Sequence, residues 1–388
     1  MDYFLIPKNK LSGKNLESNE WNSKGMFKDL ERELNEAKFK QDDYYETKKF
    51  RESVGIFDIF RQEKNKLKKK FNAQNVTNAW LKIYEICDFF ALIPQSKKKL
   101  THFDNAAFPG AFVLAVNHYV QTRTKINDYN WYASSFVGKE GLLKDSYGLY
   151  ILHRKHWLMK PNRGISGDVT EMKNQNHWET FFNHSVDLYT SDLGFETDEH
   201  GDYTKQEFAH LKPNIGQILT GLLTLRNGGH MVIKQYTFFE SLNISVIALL
   251  TNCFEEVYLC KPVTSRPFNS ETYIVCKIYR YSGNIIEKFK SKLEAFNVLP
   301  LISFKSITVP FMSMIKKAAF TFFKKQIYFL NKRLDWYDKL KHLNLHDLRQ
   351  QGRIAIKPWH NKVISKWYKL HKFRRIKNKK KIKLIRNF

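Results

Sequence analysis

Two apolar runs in this chain of 388 residues stop at an ionisable side chain. Residues 186–190 read as a short strand, residues 191–194 break it, and Asp192 stands at its end. Residues 231–233 form a second run that ends in Lys234. In open α/β sheets ligands bind in the crevice beyond the carboxyl ends of the strands, so a carboxylate at such an end is a site candidate. The competing reading of Asp192 is a turn or helix-cap residue, the commoner use of a strand-end aspartate. Lys82 lies near the middle of a helix that Thr77 or Asn78 would cap, with Trp80, Ile83 and Ile86 as its apolar face. A lone helical lysine is ordinarily surface decoration. Glu271 closes a polar segment, residues 261–271, between two expected strands.

A candidate cofactor turn lies upstream. Residues 99–104 read as the first strand of a parallel sheet and lead through residues 105–110 into a helix over about 111–121. Strand, small-residue turn and helix N-terminus is where nucleotides and nucleotide-like cofactors sit. Gly110 is the only glycine in that turn.

Four stretches line up: residues 80–86 around Lys82, Ser191-Asp192, residues 232–234, and residues 264–275 around Glu271. Together they resemble the FtsJ-type family of S-adenosylmethionine-dependent RNA ribose 2′-O-methyltransferases. That family carries a Lys-Asp-Lys-Glu tetrad with one member from each element; by motif the tetrad here is Lys82, Asp192, Lys234 and Glu271. Residues 72–82 (Asn-Ala-Gln-Asn-Val-Thr-Asn-Ala-Trp-Leu-Lys) and 265–275 (Ser-Arg-Pro-Phe-Asn-Ser-Glu-Thr-Tyr-Ile-Val) are similar to the subgroup of African swine fever virus and other large DNA viruses. Cap-specific mRNA methyltransferases share the second stretch. The resemblance covers about residues 66–280.

The resemblance implies a reaction. A ribose 2′-hydroxyl is a poor nucleophile, and a lysine whose ammonium form is disfavoured by burial or a second cation can accept its proton. By resemblance that base is Lys234, with Lys82 as the second cation. Asp192 and Glu271 would orient Lys234, and Asp192 would also stabilise the sulfonium side. The implied S-adenosylmethionine pocket is Asp104, Ala106, Ala107, Phe108, Pro109, Gly110, Phe112, Asp168 and Asp192, with Asp168 meeting the adenine amino group. The turn departs from the family pattern, with Ala107 and Phe108 where two glycines are usual and Ala111 in place of another. The second strand ends in Ser134 and Ser135, without the acid that often binds ribose hydroxyls. The implied substrate is the cap-adjacent nucleotide of viral mRNA. An rRNA or tRNA ribose methyltransferase, and a catalytically silent RNA-binding or virion protein on this scaffold, are the alternatives. Implied partners are RNA and viral capping or transcription subunits, in the host cytoplasm or the virion.

Placing these residues takes an alternation of strands and helices over about 200 residues. Further strands are expected at 131–136, 256–260 and 272–278, with helices at 208–226, stopped by Asn227-Gly228-Gly229, and at 242–254. The expected fold class is α/β, a Rossmann-fold methyltransferase with a mostly parallel central sheet and helical N- and C-terminal extensions. The expected divisions are a charged helical extension (1–65), the methyltransferase domain (66–285), a helical extension (286–350) and a basic aromatic tail (351–388). The connection at 137–166 is long enough to suggest a functional loop, and its aromatics Tyr147, Tyr150 and Trp157 are candidates for a cap pocket or a loop anchor.

Composition sets the surroundings. The chain holds 65 Lys and Arg against 38 Asp and Glu, a net charge of +27 that favours a polyanionic partner. From residue 351 there are 14 Lys or Arg and no acid, interleaved with Trp359, Trp367, Tyr368 and Phe373. That mix suits single-stranded RNA, with phosphates neutralised and bases stacked. A disordered, nucleolar-targeting or capsid-associated tail has the same composition. The basic run at residues 64–70 reads equally as a solvated face or a nucleic-acid contact. The four cysteines lack CxxC spacing and read as reduced buried thiols of an intracellular protein, with no metal site. The N-terminus lacks the apolar core of a signal peptide. Lys316, Lys317, Lys324 and Lys325 interrupt the apolar stretch at 311–330, which predicts a buried or amphipathic helix and no membrane span.

Overall fold

The computed structural model describes residues 1–11, 21–45, 47–95, 97–138, 141, 145–195 and 205–385. Seven strands among them form one sheet: β1 (Asp2–Leu5), β2 (Lys99–Asn105), β3 (Asp128–Ser134), β4 (Val186–Ser191), β5 (Leu225–Gln235), β6 (Phe254–Lys261) and β7 (Thr272–Tyr279). Their order across the sheet is β1-β6-β7-β5-β4-β2-β3. The run β3-β2-β4-β5 is parallel, because a helix returns the chain between successive strands: Ala111–Arg123 between β2 and β3, and Leu211–Thr224 between β4 and β5. The other half, β5-β7-β6-β1, pairs antiparallel, so the sheet is mixed and its parallel character belongs to the half that includes β2 and β4. The strand order reverses between β2 and β4, the switch point where open α/β sheets bind ligands.

Successive strand residues face opposite sides, and this decides where the site lies. Leu100, Leu188, Val232, Tyr273 and Val275 pack with the helix Asn78–Phe89 on one face. Phe103, Tyr189, Met231, Ile233 and Ile274 pack on the other, with the helices Leu211–Thr224 and Ser241–Cys253. By the same alternation Asp104, Lys234 and, just outside β4 and β7, Asp192 and Glu271 belong to the first face.

Several expectations change. Residues 1–65 are not purely helical, since β1 pairs with the edge strand β6 before the helix Lys24–Tyr45 packs on Val309–Leu340. That long helix is amphipathic: Phe311, Ile315, Phe322 and Phe323 are buried, while Lys316, Lys317, Lys324 and Lys325 face out. Among the described residues no helix is long and apolar enough to cross a membrane. The helix expected to end at Asn227-Gly228-Gly229 ends at Thr224, and these residues are part of β5. Val186 pairs with Leu225 but Leu188 with His230, so the intervening residues bulge, with Gly228 at φ 79°. The connection at 137–166, of which residues 139, 140 and 142–144 lie outside the described residues, packs inward: Trp157 is buried and forms a parallel bridge to Ala133, with Tyr150 against it. No cap-pocket role follows from these rings.

The tail is also rebuilt. The helix Leu345–Leu370 runs straight through residue 351, and residues 371–385 then cross the helix Asn78–Phe89. Its four named aromatics each pack against the rest of the chain. Trp367 is buried, Phe373 stacks on Tyr84 with centroids 4.3 Å apart, Trp359 stacks on Phe329, and Tyr368 donates to Glu63.

Candidate active site

The helix Asn78–Phe89 starts where Thr77 Oγ1 accepts from the Trp80 N–H at 3.2 Å. It lies between the sheet and the tail, so every residue from Trp80 to Cys87 is buried, Lys82 included. A buried ammonium needs a partner. Lys82 Nζ donates to Glu271 Oε1 at 2.6 Å, which joins this helix to the start of β7. Burial pushes the Glu271 carboxyl upward, but Lys82, Lys234 and Lys261 outweigh it and bring it down from 4.5 to about 2.

A second pair lies two strands along. Lys234 Nζ is 3.3 Å from Asp192 Oδ1 and donates to the Asp192 carbonyl at 2.8 Å. Tyr273 joins the pairs. It faces Lys234 in the β5–β7 register, its hydroxyl donates to Asp192 Oδ1 at 3.0 Å, and the Lys82 ammonium lies 5.7 Å from its ring centre. The structure thus brings Lys82, Asp192, Lys234 and Glu271 together as two ion pairs around one tyrosine. A Cβ at Gly194 would come within 2.6 Å of Lys234 Nζ, so a larger residue there would shift the ammonium.

Three residues that the sequence reading missed support this group. Tyr273 had a signal, since it shares the parity of Glu271 along the strand. Lys261 is buried and donates to the Glu271 carbonyl at 2.8 Å and the Asn269 carbonyl at 2.7 Å. Its burial, reinforced by Lys82 and opposed by Glu271, lowers it to about 7. Glu85, one turn after Lys82, accepts from Val263 N–H at 2.9 Å, Thr264 N–H at 3.0 Å and the Thr264 hydroxyl at 2.7 Å. One helix therefore fixes both the loop before Glu271 and Glu271 itself.

The paired Glu271 makes a prediction about stability and pH. Its folded-state value is lowered, so its contribution is fully present above the unfolded value of 4.5 and is lost as pH falls from there toward about 2. Thermal melts stepped down from neutral pH are expected to fall more steeply through that window for the native protein than for Glu271→Gln. Equal acid limbs would show that the pair does not hold the carboxylate down.

The expected cofactor residues sit at the switch point. Asp104 ends β2 on the same face as Lys234 and accepts from Thr190 Oγ1 at 2.6 Å through Oδ1. Its Oδ2 is buried with no hydrogen-bond partner, as is Oγ of Ser134 at the end of β3. Burial raises the Asp104 carboxyl well above its usual range. A buried, half-partnered carboxyl of this kind suits a cationic ligand group, and S-adenosylmethionine carries two, an ammonium and a sulfonium.

The turn itself is tight. Ala106 adopts φ 53° and Gly110 φ 110°, and a Cβ at Gly110 would strike Leu149. The Phe108 N–H donates to Ser135 Oγ at 2.9 Å, and its ring packs against Trp157. Ala107 is buried beside it, and Pro109 is half-buried. The Phe112 side chain is in the core beneath the helix Asn78–Phe89, because it faces inward on the first turn of its own helix. Asp168 Oδ1 accepts from the N–H and hydroxyl of Thr170, both at 2.8 Å, so that oxygen shapes a turn.

Comparison with known proteins agrees with this geometry. Residues 75–279 match the FtsJ-like methyltransferase family. The chain is 36% identical over 383 residues to a probable methyltransferase, EP424R, of African swine fever virus, spanning 93% of this chain and 87% of that protein. It is 34% identical over 236 residues to an uncharacterised protein, L511, of Acanthamoeba polyphaga mimivirus, over 58% of this chain and 29% of that one. It is also 31% identical over 269 residues to cap-specific mRNA (nucleoside-2′-O-)-methyltransferase 2 of Pongo abelii, over 66% of this chain and 34% of that enzyme. With more than half of its length matched to one family and a relative aligned nearly end to end, the chain belongs to the FtsJ-like methyltransferases and is an RNA methyltransferase that uses S-adenosylmethionine.

Proposed function

We propose that the chain methylates the ribose 2′-hydroxyl of the cap-adjacent nucleotide of mRNA, with Lys82, Asp192, Lys234 and Glu271 as its catalytic tetrad. The observation that carries this reading is the pair of ion pairs, Lys82–Glu271 and Lys234–Asp192, held around Tyr273. When bound, S-adenosylmethionine supplies an electrophilic methyl group. Asp104, the backbone of the turn from Ala106 to Gly110, and Asp168 would hold it. Lys234, in its amine form, takes the proton of the 2′-hydroxyl as the oxygen becomes a nucleophile. Lys82 and Lys261 are the buried lysines beside the group. Asp192 orients Lys234 through both its carboxylate and its carbonyl, and Glu271 keeps Lys82 in place.

The cap preference is supported by the likeness to the cap-specific enzyme, and action in an infected cell's cytoplasm beside other capping subunits by the viral likeness. The test is methyl transfer from labelled S-adenosylmethionine to a short RNA with and without a 5′ cap. Label on the 2′-oxygen of the first nucleotide of capped RNA alone is the expected result. Equal label on both RNAs would move the substrate to RNA ribose in general. Absence of label, with S-adenosylmethionine bound, would sink the proposed reaction.

A further inference from the structure

The molecule has a groove of about 780 Å³, built from residues distant in sequence. One wall is the end of the helix Glu63–Phe71 and residues 72–75; the other is the tail, residues 378–385. It is lined by Lys68, Lys381 and Lys383 with the amides of Asn72, Gln74 and Asn75 among them, and no acid lines it. We propose that this groove holds the sugar-phosphate backbone of single-stranded RNA and leads it to the tetrad. The proposal rests on the RNA methyltransferase reading and names the surface that holds that substrate.

The walls are built rather than incidental. Gln74 clamps Ile382 from both sides, donating to its carbonyl at 2.7 Å and accepting from its N–H at 3.1 Å. Asn72 donates to the Ile376 carbonyl at 2.9 Å, the His153 ring meets the Lys383 carbonyl at 2.8 Å, and the Ile385 N–H reaches the Tyr147 carbonyl at 3.2 Å. With the backbone tied down and Ile376, Phe373 and Ile382 turned inward, the cations are left outside. Residues 371–385 hold eight Lys or Arg and no acid, and Lys68 and Lys383 are exposed.

The position suits delivery of substrate. Residues 72–77 run directly into the helix that carries Lys82, five residues beyond its Thr77 cap, a rise of about 8 Å. That helix precedes β2 and so begins at the edge of the sheet where the parallel strands end, the edge of Asp192 and Lys234. The chemistry selects phosphate over base. Among the described residues of the tail, Phe373 is spent on Tyr84 and Trp367 lies within the core. What remains are the exposed ammonium groups of Lys68 and Lys383, donors that match phosphate oxygens without reading sequence.

The experiment compares the full chain with Lys68→Gln/Lys383→Gln and with a control of equal charge loss, Lys316→Gln/Lys317→Gln, on the exposed side of a distant helix. Binding of a labelled single-stranded RNA is followed against salt, and KM for RNA is measured in the methyl-transfer assay. Each lost phosphate contact is expected to reduce the slope of log affinity against log salt by about 0.7, so about 1.4 for the groove variant. At physiological salt that corresponds to about a tenfold rise in Kd for RNA, mirrored in KM, with S-adenosylmethionine binding as before. The control is expected to keep the native slope and KM. Equal behaviour of the two variants would overturn the groove and leave only a diffuse positive field. A native protein that methylates no RNA would instead overturn the reading on which the groove rests.

Discussion

Lys234→Ala is expected to lower the rate of methyl transfer about 10²–10⁴-fold while S-adenosylmethionine still binds. This is the range a positioned proton acceptor contributes. Among the described residues the other buried lysines of the group are engaged: Lys82 is committed to Glu271 and Lys261 to the carbonyls of Asn269 and Glu271. The loss should fall on the chemical step, because Asp104 and the turn after β2 are untouched. Single-turnover transfer at saturating RNA, set beside calorimetric binding of S-adenosylmethionine, separates the two. Lys234→Met keeps the bulk of the side chain and should be as inactive as the alanine variant. A rate within tenfold of native in either would mean that the base lies elsewhere.

The second large effect is on stability. Lys82→Met leaves the Glu271 carboxylate buried without the ammonium from which Oε1 accepted, with Ser265 Oγ 3.5 Å from that oxygen. Breaking a buried pair from one side costs about 3–5 kcal/mol, and the lower end, about 3 kcal/mol, is expected because Lys234 and Lys261 still act on the carboxylate. Removing both charges, in Lys82→Met/Glu271→Gln, should restore most of that stability without restoring methyl transfer. Urea melts of the three proteins measure it. A double variant no more stable than the single one would show that the stranded carboxylate was not the cause. Together these outcomes would place the tetrad's charges in catalysis and assign their stabilising role to mutual compensation.

Much of the site was legible in the sequence because strands and helices impose fixed periods. Lys234 at the end of an apolar run and Asp192 after another lie on one face because the side-chain period is two. Lys82 was legible only through its motif, since nothing in its own helix says that its side chain will meet Glu271 on the sheet. The other face of that helix is covered by Phe373, nearly 300 residues further along, and a sequence does not announce such pairings. The tail aromatics were misplaced for the same reason. β1 went unread because it has four residues and is a strand only by virtue of the β6 edge it pairs with. Asn227-Gly228-Gly229 looked like a helix stop, and the bulge that absorbs it depends on the register of β4, which is set by packing. Glu85 is a helix residue whose partners are backbone N–H groups in a loop, and side-chain pattern alone does not reveal them.

The clamp of Gln74 on Ile382 spans 308 positions. At about 5–20 residues per second, a ribosome needs about 15–60 s to travel that distance. For all of that interval the nascent chain holds Trp80 and Tyr84 without the strand of backbone that later covers them. Closure therefore waits for synthesis of residues 371–385 and is driven by the burial of Phe373 and Ile376 once they emerge. A chain interrupted before that moment leaves the ribosome with its catalytic lysine helix uncovered on one side. Covering of that helix is thereby coupled to synthesis of residues 371–385.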